Sequence, residues 1–477
     1  MQSKIISGLV WKLLERFGVQ GVQFVLQIIL ARLLAPEYYG VLSLMLIFTN
    51  LANIFVQSGL NTALIQNKDV TEEDYSSVLW ISLSISIGLY VLLFFCTPCI
   101  ADFYDMPEII RPFRVLSLML IPGALNSVQL AKITREMNFK QVFKSNLVGI
   151  IISGVIGVVL AYCGTGLWAL VVQSLTNAVI VCSVMWFTVK WRPQFICDFF
   201  RIKILFSFGW KLLVSAILDT LYQDLRSLVV GKKYDSETLG YYNRGKQFPQ
   251  FVINAINGAI QSVMLPAMSE KQDNKNQVKL LMRSSISISS YIIFPMMTGL
   301  AAIAEPLVEL LLTDKWLLCV PYMQIYCFTL AFYPVHSCNL QAINAMGRSD
   351  LFLKLEIIKK VYGILILTIA VFCFDSPIAI AMTGIITTWI SWFINAYPNK
   401  KLVEYSYFEQ IIDIIPSLIM SLVMCGCVLI IGTINLKPIL LLIVQVIVGI
   451  LVYFVLSVIF KPHAYILMIN KLLKLRT

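Results

Sequence analysis

Lys12, Arg16, Gln20, Gln23 and Gln27 recur at helical spacing inside an otherwise apolar stretch, WKLLERFGVQGVQFVLQIILARLL at 11–34. At 100° per residue they fall within an arc of about 80° and so form one polar line along a helix. Two cations and three amides in a line suit a ligand that is anionic at one end and rich in hydroxyls elsewhere. Guanidinium grips phosphate or carboxylate oxygens in pairs, and amides both donate and accept. WKLL returns at 210–213, 199 residues on, and the same register there gives Lys211, Ser215, Asp219, Tyr222 and Arg226. Asn50, Asn53, Gln57 and Asn61 make a third line; Asn243, Gln247, Gln250, Asn254, Asn257 and Gln261 make a fourth. Asp219, the carboxylate on these lines, is either a protonation or cation site or a partner for Arg226 or Ser215.

An ionised side chain at a bilayer centre costs on the order of 2.5–3.5 kcal/mol on insertion scales, so it faces protein or water. Helix-to-helix hydrogen bonds, worth roughly 0.6 kcal/mol each, account for the Asn and Gln residues taken singly. Lines several turns long on equivalent helices favour a water-filled cavity. Other charges have simpler readings. Arg32 lies about 160° around the helix from Arg16 and snorkels to the interface. Glu15 and Asp224 are off the lines, Glu15 beside Lys12. Lys132 and Arg135 end a span, and His336 reads as a hydrogen-bonded structural residue.

Such lines require membrane-crossing helices. Of 477 residues, 58% are hydrophobic and 13% charged, and the mean hydropathy of +0.81 excludes a soluble globular domain. Apolar runs of about 20 residues recur throughout, predicting an all-α integral membrane protein of about fourteen transmembrane helices. The first span is too long and too polar for a cleaved leader, which puts the start of the mature chain near Met1. The net charge of +11 follows orientation rather than a nucleic-acid partner. Lys and Arg crowd 131–144, 190–203 and 271–283, whereas 163–166 and 373–377 have none, placing both termini in the cytoplasm. Segment 231–246, read as an outer loop, disagrees by holding four basic residues.

Besides the WKLL repeat, Asn50, Asn53 and Gln57 match Asn254, Asn257 and Gln261 at a spacing of 204, which implies an insertion within 231–246. Asn126 and Gln129 match His336 and Asn339. The expected organisation is two parallel-repeat six-helix lobes, 1–200 and 201–400, and a C-terminal helix pair with a cytoplasmic tail, 401–477. The eleven cysteines are scattered and read as apolar fillers. TEED (71–74) reads as a solvated loop with a helix-start signal. No phosphate-binding loop, dinucleotide fingerprint or metal motif occurs, so no cofactor and no ATP hydrolysis are expected.

ILARLLAPEYYGVLSL (29–44), SGLNTALIQ (58–66), ETLGYYNRGKQFP (237–249), LPAMSEKQDN (265–274) and AINAMGRSDLFLK (342–354) resemble the polysaccharide-transporter branch of the MOP exporter superfamily, nearest to Wzx-type flippases of the colanic-acid and teichuronic-acid exporter group. The resemblance implies translocation of a lipid-linked oligosaccharide, on undecaprenyl diphosphate, across the bacterial cytoplasmic (inner) membrane by alternating access, with H+ or Na+ as a candidate coupling ion. It further implies a cationic central cavity, a role for Arg16 and Arg226 toward the diphosphate or acidic sugars, and other polysaccharide-assembly proteins as partners. Asp219 is the candidate coupling residue. One alternative is a cation-coupled exporter of small drugs, which would lean on acidic cavity residues. Another is a membrane polymerase or ligase, which the short outer loops oppose.

Overall fold

A computed structural model describes Trp11 and residues 18–66, 70–136, 138–434 and 436–474. Among the described residues the regular structure is helical, without strands. We number the principal helices α1 (Gln20–Leu33), α2 (Pro36–Gln66), α3 (Glu72–Tyr104), α4 (Pro107–Glu136), α5 (Phe139–Tyr162), α6 (Leu167–Thr188) and α7 (Phe199–Lys233), followed by α8 (Ser236–Glu270), α9 (Lys275–Ala302), α10 (Asp314–Ala345), α11 (Ser349–Cys373), α12 (Pro377–Leu402), α13 (Tyr407–Gly432) and α14 (Pro438–Phe460). A final amphipathic helix, α15, spans His463–Lys474.

Ten of these, α2 to α6, α9, α10 and α12 to α14, are long and apolar enough to cross a membrane. The protein is therefore a multi-pass, all-helical membrane protein. The other predicted crossings also hold helices: α1, α7, α8 and α11. Their hydropathy is lowered by the residues that drew attention in the sequence, the polar lines of α1, α7 and α8, and by Lys354, Glu356, Lys359 and Lys360 near the start of α11.

The chain divides into two compact units, Met1–Gly240 and Tyr241–Thr477. In the first, small residues let helices approach closely. A Cβ on Gly149 of α5 would lie 2.4 Å from Val181 of α6, and one on Gly154 would lie 2.3 Å from Leu26 of α1. TEED is not a loop but the first turn of α3: Thr71 Oγ1 accepts from the Asp74 amide (3.4 Å), and Asp74 Oδ2 accepts from the Thr71 amide (2.8 Å). Asp74 is buried there. Glu72 takes the Lys132 ammonium (2.7 Å). Arg135 donates to the Leu64 carbonyl (3.1 Å), so both cations at the end of α4 have structural partners. Segment 189–198, leaving α6, is stitched to α3: Trp80 Nε1 donates to Gln194 O (2.8 Å), and the Gln194 and Asp198 amides donate to Ser76 and Ser77 (3.0 Å each).

In the second unit, α9 packs along α13 and is pinned there by ion pairs. Lys279 Nζ lies 2.7 Å from Glu409 Oε1, and Arg283 Nε lies 2.8 Å from Asp413 Oδ2. Both bases come from the basic segment 271–283. A buried amide network joins α10, α12 and α13. Asn339 and Gln410 exchange reciprocal hydrogen bonds (2.9 and 3.0 Å), Asn399 donates to Asn339 Oδ1 (2.8 Å), and Trp392 Nε1 donates to Gln410 (3.2 Å). His336 sits beside it, its Nδ1 3.5 Å from Asn395 Nδ2. Between α10 and α11, Gly347 takes φ +71°, a backbone conformation that suits glycine. Arg348 then clasps Asp350 in a bidentate pair (2.9 and 2.8 Å).

One expectation is corrected. Segment 231–246 is not a long outer loop and carries no insertion. The break between α7 and α8 is Tyr234–Asp235, as short as Leu34–Ala35 between α1 and α2. The helix starts thus stand 200 residues apart, pairing Asn50 with Gln250, Gln57 with Asn257 and Asn61 with Gln261. The supposed loop cations belong to helices. Lys232 and Lys233 occupy the last turn of α7, where the helix dipole favours positive charge. Arg244 is 5% exposed in α8, with its guanidinium 5.0 Å from the Trp316 ring centroid and Nη1 donating to Gln247 Oε1 (2.5 Å).

Candidate functional site

The first polar line begins outside the described residues, since Lys12, Arg16 and Glu15 fall there. Its remainder lies on α1, where Gln20 and Gln27 are half-buried and Gln23 is exposed. Leu30 and Ala31 are fully buried, and Leu26 meets α5 at Gly154. The helix is thus anchored by its apolar side, which leaves Gln23 open.

On α2, Asn50 is exposed, while Asn53 and Gln57 are half-buried and joined by a hydrogen bond (2.9 Å). A Cβ on Gly123 of α4 would lie 3.1 Å from Asn53 Oδ1. That pair therefore serves helix packing on at least one side, whereas Asn50 stays open.

On α7, Lys211 and Ser215 are exposed, and Asp219, Tyr222 and Arg226 are half-buried. Asp219, Tyr222 and Arg226 each have interaction partners. Because α7 packs along α2 within the first unit, two of the polar lines stand on neighbouring helices. The exposure pattern runs from an open lysine to a partly enclosed arginine four turns along.

On α8, in the second unit, Gln250 donates to Asn254 (2.8 Å) and Asn254 is exposed. Asn257 and Gln261 follow on the same helix. Among the described residues no group of three metal-ligating side chains occurs.

The sequence reading missed a second feature. Within the second unit a cavity of about 540 Å³ opens between α9, α13 and α14, lined by Pro295, Gly299, Met424, Gly449, Ile450 and Phe454 among others. Its wall is apolar except for groups such as Gln445, 2% exposed, whose Nε2 donates to the Val428 carbonyl (3.1 Å). At one end Tyr453 donates to the Tyr291 carbonyl (2.8 Å) and Tyr291 to Ser457 (2.7 Å). Gly299 and Gly449 lie on its rim where α9 and α14 approach α13: a Cβ on Gly299 would lie 3.5 Å from Met424, and one on Gly449 3.3 Å from Val428.

Residues 29–321 match the family model described as polysaccharide biosynthesis protein. The succinoglycan biosynthesis transport protein ExoT of Rhizobium meliloti (strain 1021) is 23% identical over 351 residues, covering 74% of this chain and 71% of that one. The teichuronic acid biosynthesis protein TuaB of Bacillus subtilis (strain 168) is 22% identical over 350 residues, 73% and 72% of the two chains. Among solved structures, the lipid II flippase MurJ in an inward closed conformation superposes with a TM-score of 0.76 at 15% identity, covering 95% of this chain and 98% of that one. That likeness shows a shared fold. With the family model spanning more than half its length, the chain belongs to the polysaccharide biosynthesis protein family.

Proposed function

We propose that the protein flips a lipid-linked oligosaccharide, carried on undecaprenyl diphosphate, from the cytoplasmic to the outer leaflet of the bacterial cytoplasmic membrane for surface polysaccharide biosynthesis. The observation that carries this reading is the α7 line, which sets Lys211, Ser215, Asp219, Tyr222 and Arg226 on one side of a long helix in a protein otherwise built for lipid. Cations and hydroxyls in line suit a diphosphate joined to sugars. The apolar cavity beside α14 offers the complementary surface for an isoprenoid chain, so both halves of an amphipathic lipid-sugar conjugate find a match. Transport rather than catalysis is the work these surfaces suit.

In this proposal α1 to α14 all cross the membrane, both termini are cytoplasmic, and residues 1–200 and 201–400 form lobes with 401–477 appended. The remaining lines (Lys12, Arg16, Gln20, Gln23 and Gln27; Asn50, Asn53 and Gln57; Asn254, Asn257 and Gln261) border the substrate's path. Asp219 is the candidate site for coupling to H+ or Na+. The lines hold more cations than carboxylates, which favours an anionic cargo over the cationic drugs of an ion-coupled exporter.

The test is reconstitution in liposomes with a lipid-linked oligosaccharide, scoring its accessibility from each leaflet. Leaflet transfer without change to the glycan is the expected result. Elongation or transfer of the glycan, with no flipping, would replace this reading with a polymerase or ligase.

A further inference from the structure

The first turns of α2 and α8 touch backbone to backbone. A Cβ on Gly40 would lie 1.7 Å from the Ser236 carbonyl oxygen and 2.9 Å from the Gly240 nitrogen. One on Gly240 would lie 2.1 Å from the Pro36 carbonyl oxygen. The contact is reciprocal: Pro36 and Gly40 meet Ser236 and Gly240, each 200 residues from its counterpart. Two equivalent helix starts therefore meet about a local two-fold, and no side chain larger than hydrogen fits at either glycine. All four residues lie within the first compact unit.

At the two glycines the contact is backbone against backbone, so neither glycine has a side chain to disengage when the surfaces part. The positive ends of two helix dipoles are brought together, each worth about half a charge, which opposes the contact. One carboxylate per first turn, Glu37 and Glu237, offsets that repulsion. At the same end, Lys232 at the close of α7 reaches Asp105 after α3 (2.9 Å), with both side chains largely exposed. Gly231 adds another close approach, since a Cβ there would lie 3.1 Å from Leu239.

We infer that the Gly40–Gly240 contact is a separable seal: the α1–α2 and α7–α8 turns close one face of the protein in this state and part when that face opens. This rests on the alternating-access reading, and the proposed topology makes the sealed face the outer one; the contact itself depends on neither. The Lys232–Asp105 pair is a secondary clasp on the same seal.

The test measures access without any substrate, so it fails or succeeds independently of what the protein carries. In the full chain with native cysteines replaced, Asn50→Cys on α2 reports solvent access to a membrane-impermeant maleimide, applied to whole cells and to inside-out vesicles. Gly40→Ala and Gly240→Ala each force the turns apart; overpacking of this kind shifts a two-state balance by a factor on the order of 10 to 100. Labelling from outside is expected to quicken by about that factor, limited by full opening, and labelling from inside to slow. Asp105→Asn removes only an exposed ion pair, leaves folding intact and should quicken outside labelling by about two- to threefold. Gly88→Ala, with open space around its Cβ, should change nothing. Unchanged labelling in Asp105→Asn and in whichever alanine variants fold overturns the seal, even if lipid flipping is observed. Faster labelling upholds it, even if no lipid-linked oligosaccharide is moved.

Discussion

Asp413→Ala should loosen the attachment of α13, and with it the terminal helix pair, to α9. The Asp413 carboxylate is 5% exposed and takes Arg283 through both Nε and Nη2. Its Oδ2, also 2.8 Å from Arg283 Nε, accepts from Tyr405 (2.7 Å), whose side chain is fully buried. Removing one partner of a buried pair costs about 3–5 kcal/mol. That figure is an upper bound here, because Arg283 is 41% exposed and can recover water. The Tyr405 hydroxyl cannot, and an orphaned buried donor costs about 1–3 kcal/mol. Together these give roughly 2–4 kcal/mol, a fall in melting temperature of about 5–15 °C for a unit of this size. Asp413→Asn retains an acceptor for Tyr405 and should recover part of the loss. Arg283→Met with Tyr405→Phe and Asp413→Leu, which leaves nothing orphaned, should melt near the parent. The assay is thermal unfolding in detergent, with protease cleavage between α12 and α13 as a local readout. A melting point for Asp413→Ala within about 1 °C of the parent would refute the reasoning.

Other outcomes follow from the site. Arg226→Ala and Arg16→Ala should each lower lipid flipping in liposomes by about tenfold or more at unchanged expression, and full activity in the double variant would remove these cations from the path. Asp219→Asn should abolish the response of transport to an imposed proton or sodium gradient; an equal response to either gradient excludes it as the coupling residue. Ile450→Trp adds bulk at an exposed lining position of the apolar cavity and should weaken flipping of a long-chain isoprenoid conjugate more than of a short-chain one, measured by competition between the two. At the α10–α11 turn the Arg348 guanidinium holds the Asp350 carboxyl down to about 2. A carboxyl depressed in the folded state stabilises above its usual value near 4 and loses that contribution as pH falls toward 2. Arg348→Gln should therefore move the Asp350 titration, followed by carboxyl carbon chemical shift, back toward about 4.

The all-helical membrane architecture was legible because it depends on run length, and run length survives any error in register. The polar lines show in the sequence because their residues repeat at helical spacing; Gln20, Gln23 and Gln27 and the residues of the other three lines do lie on helices, while Lys12 and Arg16 fall outside the described residues. The break between α7 and α8 was misread because Lys232, Lys233, Arg244 and Lys246 look like loop charges when counted along the chain. In space they are absorbed by different means: a helix C-terminus and Asp105 for Lys232, Trp316 and Gln247 for Arg244. The repeat was seen but its register was not. Matching Asn to Asn gave a spacing of 204, while the backbone equates Asn50 with Gln250, because amides can exchange at a position without exchanging function. The apolar cavity was invisible because its lining brings α9 against α13 and α14, more than a hundred residues further along the chain, and no sequence pattern records that facing.

The helices that fall short of the hydropathy of a lone span include three of the four that carry the polar lines, α1, α7 and α8, and this bears on how the protein assembles as well as on what it does. In the proposed topology α7 would bring Lys211, Asp219, Asp224 and Arg226 into the membrane, at an insertion cost on the order of 10 kcal/mol if each were paid singly near the centre. Residual function alone cannot hold such a helix in lipid; packing has to. The structure supplies that packing on α2, whose apolar residues Leu44, Met45 and Ile47 are buried, and through Gly231, which lets α7 approach Leu44 and Leu239 closely. The partner that stabilises α7 is thus the helix whose own polar line stands next to it. In the proposed function, a protein that must keep charge along a solvated path gains by pairing its polar helices with each other, since each then covers apolar surface of the other while Asn50, Lys211 and Ser215 stay exposed.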